Sequence, residues 1–309
     1  MNPFTSRHLD SVGAWGEEKL IRAIRRWLGN TSPKSPFGIG DDCAVLPASR
    51  GRQLITVDPV VYGRHFDATV PASAVGAKLL KRNLSDLAAM GGRPVAAVLA
   101  LTLDAGVSRH WLAAFYRGLA ASARRHRVSI VGGDIAQADG VVAASLTLLG
   151  EAAGARVLTR TGAAVGDRIF VTGRLGGSLA SGHHYRFSPR LAEGVWLARR
   201  PEVRAMMDVS DGLAKDLHAL TPHGAAPALI AAALPRRPGI SVRAALTDGE
   251  DYELVFVVSQ RAESAALARA WARAFPRTRL SCVGHFAPVR RLPADAIDLA
   301  GYQGYEHLR

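Results

Sequence analysis

The chain has only two cysteines, Cys43 and Cys282, among 309 residues. Two thiols are too few for a disulfide framework, and neither stands in a metal-binding spacing. No apolar run approaches the length of a membrane span, and the opening Met1-Asn2-Pro3-Phe4-Thr5-Ser6-Arg7 lacks the apolar core of a secretory signal. These absences lead us to expect a reducing, cytoplasmic compartment and no membrane partner. Acidic residues are also few, 26 against 39 Lys and Arg, which leaves a net charge of +13. The excess is mostly arginine scattered over expected helix faces, such as Arg22, Arg25, Arg26, Arg117, Arg124 and Arg125. No basic stripe interleaved with aromatics accompanies it, so a nucleic-acid partner is not expected. A positive field would still draw in small anionic substrates.

The few carboxylates are concentrated. Asp41, Asp42, Asp58, Asp86, Asp134, Asp208, Asp211, Glu250, Asp251 and Glu253, ten of the 26, fall inside short motifs. The first is Gly38-Ile-Gly-Asp-Asp-Cys-Ala-Val-Leu46, a glycine loop running through two adjacent carboxylates into an apolar segment. Adjacent carboxylates repel, and withdrawing them from water is costly, so such a pair usually needs a cation. Alone it would read as a solvated turn. Its recurrence elsewhere gives it weight.

Hydrophobic periodicity places these motifs on elements. Residues 10–28 read as an amphipathic helix with Leu20, Ile21, Ile24, Trp27 and Leu28 on one face, and 53–57 as a strand ending at Asp58-Pro59. A helix over 73–90, stopped by Gly91-Gly92 and Pro94, puts Asn83 and Asp86 on one face. Residues 95–103 read as a strand buried on both faces, followed by a helix from the cap Ser108 to about Arg127. A strand over 128–131 delivers Gly132-Gly133-Asp134, another strand spans 141–149, and the composition loosens at 151–156. We therefore expect an N-terminal domain over 1–150 and a C-terminal domain over 151–309.

In the second half, a strand over 168–172 leads into Gly173-Arg174-Leu175-Gly176-Gly177, a turn whose amides could cradle a phosphate or simply reverse the chain. Ser188-Pro189 reads as a helix start, and the neighbours His183 and His184 should point different ways. Asp208, Ser210 and Asp211 surround an expected helix N-terminus, where capping would explain one of them but not all three. A third acidic segment, 248–253, feeds a strand over 255–258, and a surface helix over 262–275 and a strand over 279–285 follow. The aromatic tail 301–307 should be ordered.

Carboxylates at segment ends, with Ser, Thr and Asn between them, suit hard cations that take oxygen ligands, Mg²⁺ first. Magnesium with glycine turns suggests nucleotide phosphates. There is no G-x-x-x-x-G-K-[ST] and no protein-kinase H-R-D or D-F-G set, so metals would have to do what a P-loop otherwise does. The residues alone reach a Mg²⁺-dependent, nucleotide-using enzyme with its substrate open.

Taken in order, Gly38-Ile-Gly-Asp-Asp-Cys-Ala-Val-Leu46, Asn83-Leu-Ser-Asp-Leu-Ala-Ala-Met-Gly91, Gly132-Gly-Asp134, Leu158-Thr-Arg-Thr-Gly162, Asp208-Val-Ser-Asp-Gly-Leu213 and Gly249-Glu-Asp-Tyr-Glu-Leu254 resemble the thiamine-monophosphate kinase family. That family lies within the aminoimidazole ribonucleotide synthetase superfamily. The resemblance implies an α/β (α+β) fold of two domains, the first dimerising through its strands, with ATP between the two. It implies direct transfer of the ATP γ-phosphoryl group to thiamine monophosphate, with several Mg²⁺ ions and no phospho-enzyme, and the sequence names no catalytic acid or base. By motif, Asp42, Thr56, Asp58, Asp86, Asp134, Asp208 and Asp211 would be metal ligands. Gly133, Arg160 and Ser210 would contact ATP, and His65, Glu250 and Tyr305 would line the thiamine phosphate site. His65, a lone histidine otherwise read as structural, thereby becomes a candidate.

Three stretches depart from the family pattern. Thr56-Val57-Asp58 has lost one hydroxyl of the usual Thr-Thr-Asp or Ser-Thr-Asp. Ile135-Ala136-Gln137 stands where Thr-Thr-Arg is usual, and Asp248 replaces a glycine. These changes leave open a nucleotide-binding regulator without turnover. Selenophosphate synthetase and hydrogenase-maturation proteins are the alternative enzymes within the superfamily. They would be expected to carry a cysteine or selenocysteine near the N-terminus and a C-terminal cysteine, respectively, and neither end here has one.

Overall fold

The structure is a computed structural model that describes residues 2–34, 37–39, 43–46, 48–49 and 51–306. Asp41 and Asp42 lie outside these residues. The chain divides into two compact units, one of residues 1–87 and 93–151, the other of 88–92 and 152–309.

The first helix, α1 (Glu17–Leu28), buries Leu20, Ala23, Ile24 and Leu28, with Glu17 and Glu18 in its first turn and Arg25 and Arg26 in its last. Those charges complement the helix dipole. It starts later than its periodicity predicts because Gly16, at φ 72°, interrupts the chain before it. Asp10 falls in a separate short turn, His8–Asp10. Strand β1 (Gln53–Val61) runs past Asp58 and through Pro59, which a sheet edge tolerates because proline lacks only an outward donor. Helix α2 (Ala72–Ala89) and strand β2 (Gly92–Leu103) follow. Helix α3 (Arg109–His126) begins where Ser108 Oγ accepts the Trp111 amide and stops at Arg127, whose φ is 57°. Strands β3 (Ser129–Gln137) and β4 (Val142–Ala152) complete the unit.

These strands form one sheet in the order β1-β4-β2-β3. β2 and β3 are parallel, joined through α3, and β1 and β4 are antiparallel. Leu79, Leu80 and Leu84 of α2 and Leu112, Phe115 and Leu119 of α3 are buried, while β4 alternates strictly between buried and half-buried residues. β2 is not buried on both faces as its apolar run suggests: Val98 is 39% exposed. Ile55 and Val57 on the edge strand β1 are 71% and 60% exposed.

The second unit adds β5 (Arg168–Thr172), α4 (His183–Arg186), α5 (Leu191–Ala198), β6 (Val203–Asp208), α6 (Leu213–Leu220), β7 (Ala225–Leu229), α7 (Val242–Thr247), β8 (Leu254–Val258), α8 (Ser264–Ala274) and β9 (Leu280–Pro288). Its strand order is β6-β8-β5-β9-β7, with antiparallel pairing of β5 to β8 and β9, β6 to β8, and β7 to β9. Side chains alternate across a strand. Accordingly Ile169, Val171, Val255 and Val257 enter one core with α6, while Phe170, Leu254, Phe256 and Val258 enter another with Leu197 of α5 and Trp271 of α8. Helix α5 begins at Leu191, so Ser188-Pro189 precedes it rather than starting it. Arg190 takes the cap position without a side-chain cap.

Arg190 is instead turned to Glu253. Its Nε and Nη2 donate to the two Glu253 oxygens at 2.7 and 2.6 Å, and Thr172 Oγ1 donates to the same carboxylate at 2.7 Å. One buried carboxylate thus ties β5, the start of β8 and the approach to α5. Glu253→Ala leaves the guanidinium in a largely dry setting with only the more distant carboxylate of Glu193, 3.6 Å away, and should cost about 3 kcal/mol. Urea unfolding of the two proteins measures this, and a loss indistinguishable from an exposed Glu→Ala change would refute it.

Candidate functional site

In the first unit the predicted residues gather where β1 faces α2. Thr56 and Asp58 are two apart on β1 and share a face, and Thr56 Oγ1 donates to Asp86 Oδ2 on α2 at 2.6 Å. Asp58 Oδ1 accepts from Arg82 Nη2 at 3.2 Å, and Arg82 Nη1 donates to the Pro59 carbonyl at 2.6 Å. Asn83 is fully buried rather than on a polar surface face. Its Nδ2 donates to the Leu79 carbonyl at 2.9 Å, and its Oδ1 meets no hydrogen-bond donor among the described residues. His65 follows the turn after β1. Its Nδ1 accepts the Val61 amide at 3.1 Å, and its carbonyl accepts the buried Lys78 ammonium at 2.7 Å. An imidazole accepting at Nδ1 carries its proton at Nε2 when neutral, and so presents a donor.

Gly133 and Asp134 are placed elsewhere. They lie within β3 rather than after a strand end, on the sheet edge opposite β1, with β4 and β2 between. Three strand spacings amount to about 14 Å. Asp134 is exposed and, with Gly133, lines a cavity of about 130 Å³ that Ile21, Ile24 and Leu28 of α1 also border. Gly133 lacks a side chain for a packing reason, because a Cβ there would collide with the Leu99 carbonyl of β2.

In the second unit Asp208 ends β6 and is buried. None of Asp208, Ser210 and Asp211 caps α6 through its side chain, since its cap residue is Gly212. Asp216, inside the helix, accepts the Ser210 and Asp211 amides at 3.0 and 3.1 Å. Burial, then the neighbouring Asp211 charge, pushes Asp216 up to about 7. The Ser210 carbonyl accepts the Glu250 amide at 2.7 Å, and the Asp211 carbonyl accepts the Tyr305 amide at 2.9 Å. Gly304 permits that approach, since a Cβ there would strike the Asp211 carbonyl. Lys215 closes the knot, with its ammonium 2.8 Å from the Asp211 carboxylate and 2.5 Å from the Tyr305 carbonyl. Ser210, Asp211, Glu250 and Tyr305 are therefore brought together from three separate segments. Arg160 lies on an exposed loop whose Thr159 carbonyl accepts the Met206 amide, and no described contact joins it to this group.

The acidic segment before β8 distributes its carboxylates one by one. Asp248 accepts the Gly177 amide at 2.7 Å, and Asp251 accepts the Gly176 amide at 2.9 Å together with Arg237 Nη1 at 2.5 Å. The glycine turn at 173–177 therefore cradles carboxylates of its own chain, not a phosphate. Asp248, which departs from the family pattern, makes one of these bonds. Glu250 lies 3.4 Å from His184 Nδ1 and accepts the Tyr252 hydroxyl at 3.2 Å, while His183 Nε2 bonds the Asp251 carbonyl at 3.0 Å. The adjacent histidines thus both meet the 250–251 segment, His184 at a carboxylate and His183 at a carbonyl. Glu250 and Tyr252 have φ of 62° and 51°, a region most side chains avoid.

Sequence reasoning missed Arg82, Lys215 and Asp216. Arg82 stands four residues before Asp86, a spacing that puts both on one face of α2 and could have drawn attention to it, whereas Lys215 pairs with Asp211, which precedes the α6 cap Gly212. Asp216 carries no such signal, since its partners are main-chain amides. Among the described residues no three His, Cys, Asp or Glu side chains converge as a ready metal site. The donors Thr56, Asp58 and Asp86 are all oxygens, the set a hard divalent cation takes.

Burial pushes Asp251 up to about 7 against the opposing pull of Arg237 and the Gly176 amide. Between the ordinary carboxylate range and that value the folded state keeps a proton that the unfolded state has lost. Stability from this group is therefore present at low pH and falls as pH rises through the window. The melting temperature of the parent should fall relative to that of Asp251→Asn as pH rises from about 4 to about 7. A difference that stays constant over this range would contradict the burial argument.

Comparison with known proteins follows the same lines. The AIR synthase related protein, N-terminal domain family matches residues 40–152. The thiamine-monophosphate kinase of Rhodopirellula baltica is 34% identical over 94% of this chain and 97% of its own. The crystal structure of thiamine-monophosphate kinase from Stenotrophomonas maltophilia K279a is similar at a TM-score of 0.70, with 29% identity over 92% of this chain and 94% of that one. AaThiL complexed with AMPPCP and TMP is similar at a TM-score of 0.71, with 26% identity over 98% and 99%. With its mixed α/β (α+β) fold of the aminoimidazole ribonucleotide synthetase type and its motifs in order, the chain belongs to the thiamine-monophosphate kinase family.

Proposed function

We propose that this chain is a thiamine-monophosphate kinase, moving the γ-phosphoryl group of ATP directly onto the phosphate of thiamine monophosphate to give thiamine diphosphate and ADP. The carrying observation is the knot in which the Asp208–Asp211 loop is hydrogen bonded to Glu250 and to the tail at Tyr305. Capping does not account for that arrangement. The likeness to AaThiL complexed with AMPPCP and TMP supports the reading.

Transfer between phosphates is mostly positioning and charge neutralisation, and an acceptor phosphate oxygen needs no deprotonation by the protein. The Nε2–H of His65 is aimed by the Val61 amide at its other nitrogen and would donate to the acceptor phosphate. Glu250 and Tyr305 would bound the substrate where they meet the Ser210–Asp211 backbone. Arg160, exposed and charged, would contact ATP phosphates, with Ser210 and Gly133 as further ATP contacts. The oxygen donors suit Mg²⁺, whose chemistry when bound is to neutralise charge on the phosphate oxygens. Asp42, Thr56, Asp86 and Asp134 in the first unit and Asp208 and Asp211 in the second would hold several such ions. Asp58, expected with them, already carries Arg82.

We also infer a homodimer joined through the first unit's sheet. The support is the apolar pair Ile55 and Val57, 71% and 60% exposed on an edge strand, which a monomer gains nothing by showing to water. Placement in the cytoplasm fits a chain in which no described helix is long and apolar enough to cross a membrane.

Thiamine diphosphate should accumulate in step with ADP from ATP, Mg²⁺ and thiamine monophosphate. Asp42→Asn should lower the rate about a hundredfold or more, and EDTA should abolish it. No product despite measurable ATP binding would replace the kinase with a nucleotide-binding regulator. For the dimer, sedimentation should give twice the chain mass for the parent and a lighter species for the double variant Ile55→Lys, Val57→Lys. A monomeric parent would end that proposal.

A further inference from the structure

Asp58 and Asp86 stand on two elements that are cross-linked twice. Thr56 and Asp58 share one face of β1, and Arg82 and Asp86 lie one turn apart on α2. The first cross-link, Thr56 Oγ1 to Asp86 Oδ2 at 2.6 Å, is a hydroxyl–carboxylate pair of the sort a divalent ion can join. The second is of another kind. Arg82 Nη2 sits 3.2 Å from Asp58 Oδ1, and Nη1 is fixed on the Pro59 carbonyl at 2.6 Å.

Three features make this guanidinium a permanent occupant. Its side chain is only 10% exposed, so it has little water to return to. It always carries its charge. It is also held at two points of β1, the Asp58 carboxylate and the Pro59 carbonyl. A divalent ion on the same carboxylate would stand within a few ångströms of a fixed positive charge, and that repulsion is strong where water is scarce.

We propose that Arg82 is a resident cation at the Asp58 end of this cluster. It removes Asp58 from the metal ligands, and the chain binds one divalent ion fewer than it would with an apolar residue at position 82. Thr56 and Asp86 form the other cross-link, which Arg82 does not enter. The inference rests on the reading of the site as a metal-assisted phosphoryl-transfer centre, and it assigns Arg82 a positioning role there.

Counting bound Mn²⁺ in the full-length protein with AMPPCP present, by electron paramagnetic resonance titration, tests this. Arg82→Leu should bind one more Mn²⁺ per chain than the parent, and Arg82→Lys should keep the parent count. Asp58→Asn should leave the parent count unchanged but remove the additional ion when combined with Arg82→Leu. Failure of folded Arg82→Leu to gain an ion, or loss of an ion from the parent on Asp58→Asn, overturns the proposal. Should Arg82→Leu not fold, as judged by circular dichroism, the Asp58→Asn count decides alone. Thiamine diphosphate formation by the parent is assayed in parallel. An inactive parent whose Mn²⁺ counts behave as expected refutes the kinase but not the role of Arg82, whereas an active parent with unresponsive counts refutes only Arg82.

Discussion

A carboxylate withdrawn from water must be given a cation or several donors, and most of the architecture around the motifs can be traced to that requirement. Several of the described carboxylates are met by different partners. Asp58 takes Arg82, Asp211 takes Lys215, Glu253 takes Arg190 and Asp251 takes Arg237. Asp216 and Asp248 are met by main-chain amides. Part of the arginine excess of the sequence is explained by Arg82, Arg190 and Arg237, which are counter-ions of half-buried or buried carboxylates.

The partners do more than neutralise, since they join segments far apart in the chain. Glu253 and Asp251 draw the 173–177 turn and the start of α5 onto the entrance to β8. That anchoring lets Glu250 and Tyr252 persist at positive φ, a conformation costing of order 1–3 kcal/mol for such residues. Both amides are used there, Glu250 donating to Ser210 and Tyr252 to Val209, and the Tyr252 ring stacks on Phe187 at 4.0 Å. The loop that presents Glu250 is thus held on both sides by hydrogen bonds that an unrestrained turn would not make. The tail adds a third strap through Gly304 and Lys215.

In the first unit the constraint is the sheet itself. A four-stranded sheet ordered β1-β4-β2-β3 leaves β1 and β3 as edges, and these edges carry Thr56 and Asp58 on one side and Gly133 and Asp134 on the other. The predicted ligands of this unit therefore divide into two groups, one against α2 and one beside α1. A single chain's sheet does not merge them.

The sequence alone determined which residues matter and the kinds of element that carry them. Periodicity located the longer helices and several strands, because burying one face needs a repeating apolar pattern, but it missed the short α7. The carboxylate clusters announced oxygen-ligand chemistry, and six ordered motifs named the family. Local pattern could not say where a strand extends once its polar residues pair with a neighbour. Asp58 and Asp134 thus lie inside β1 and β3 rather than after them. Nor could it say what an amide donor would meet. The 173–177 turn suits a phosphate and a carboxylate equally, and only the return of residues 248–251 beside it chose the carboxylate. Whether Asp58 meets a metal ion or a guanidinium was likewise undecided by its own motif. That depended on Arg82, 24 residues away, being carried onto β1 by the packing of α2.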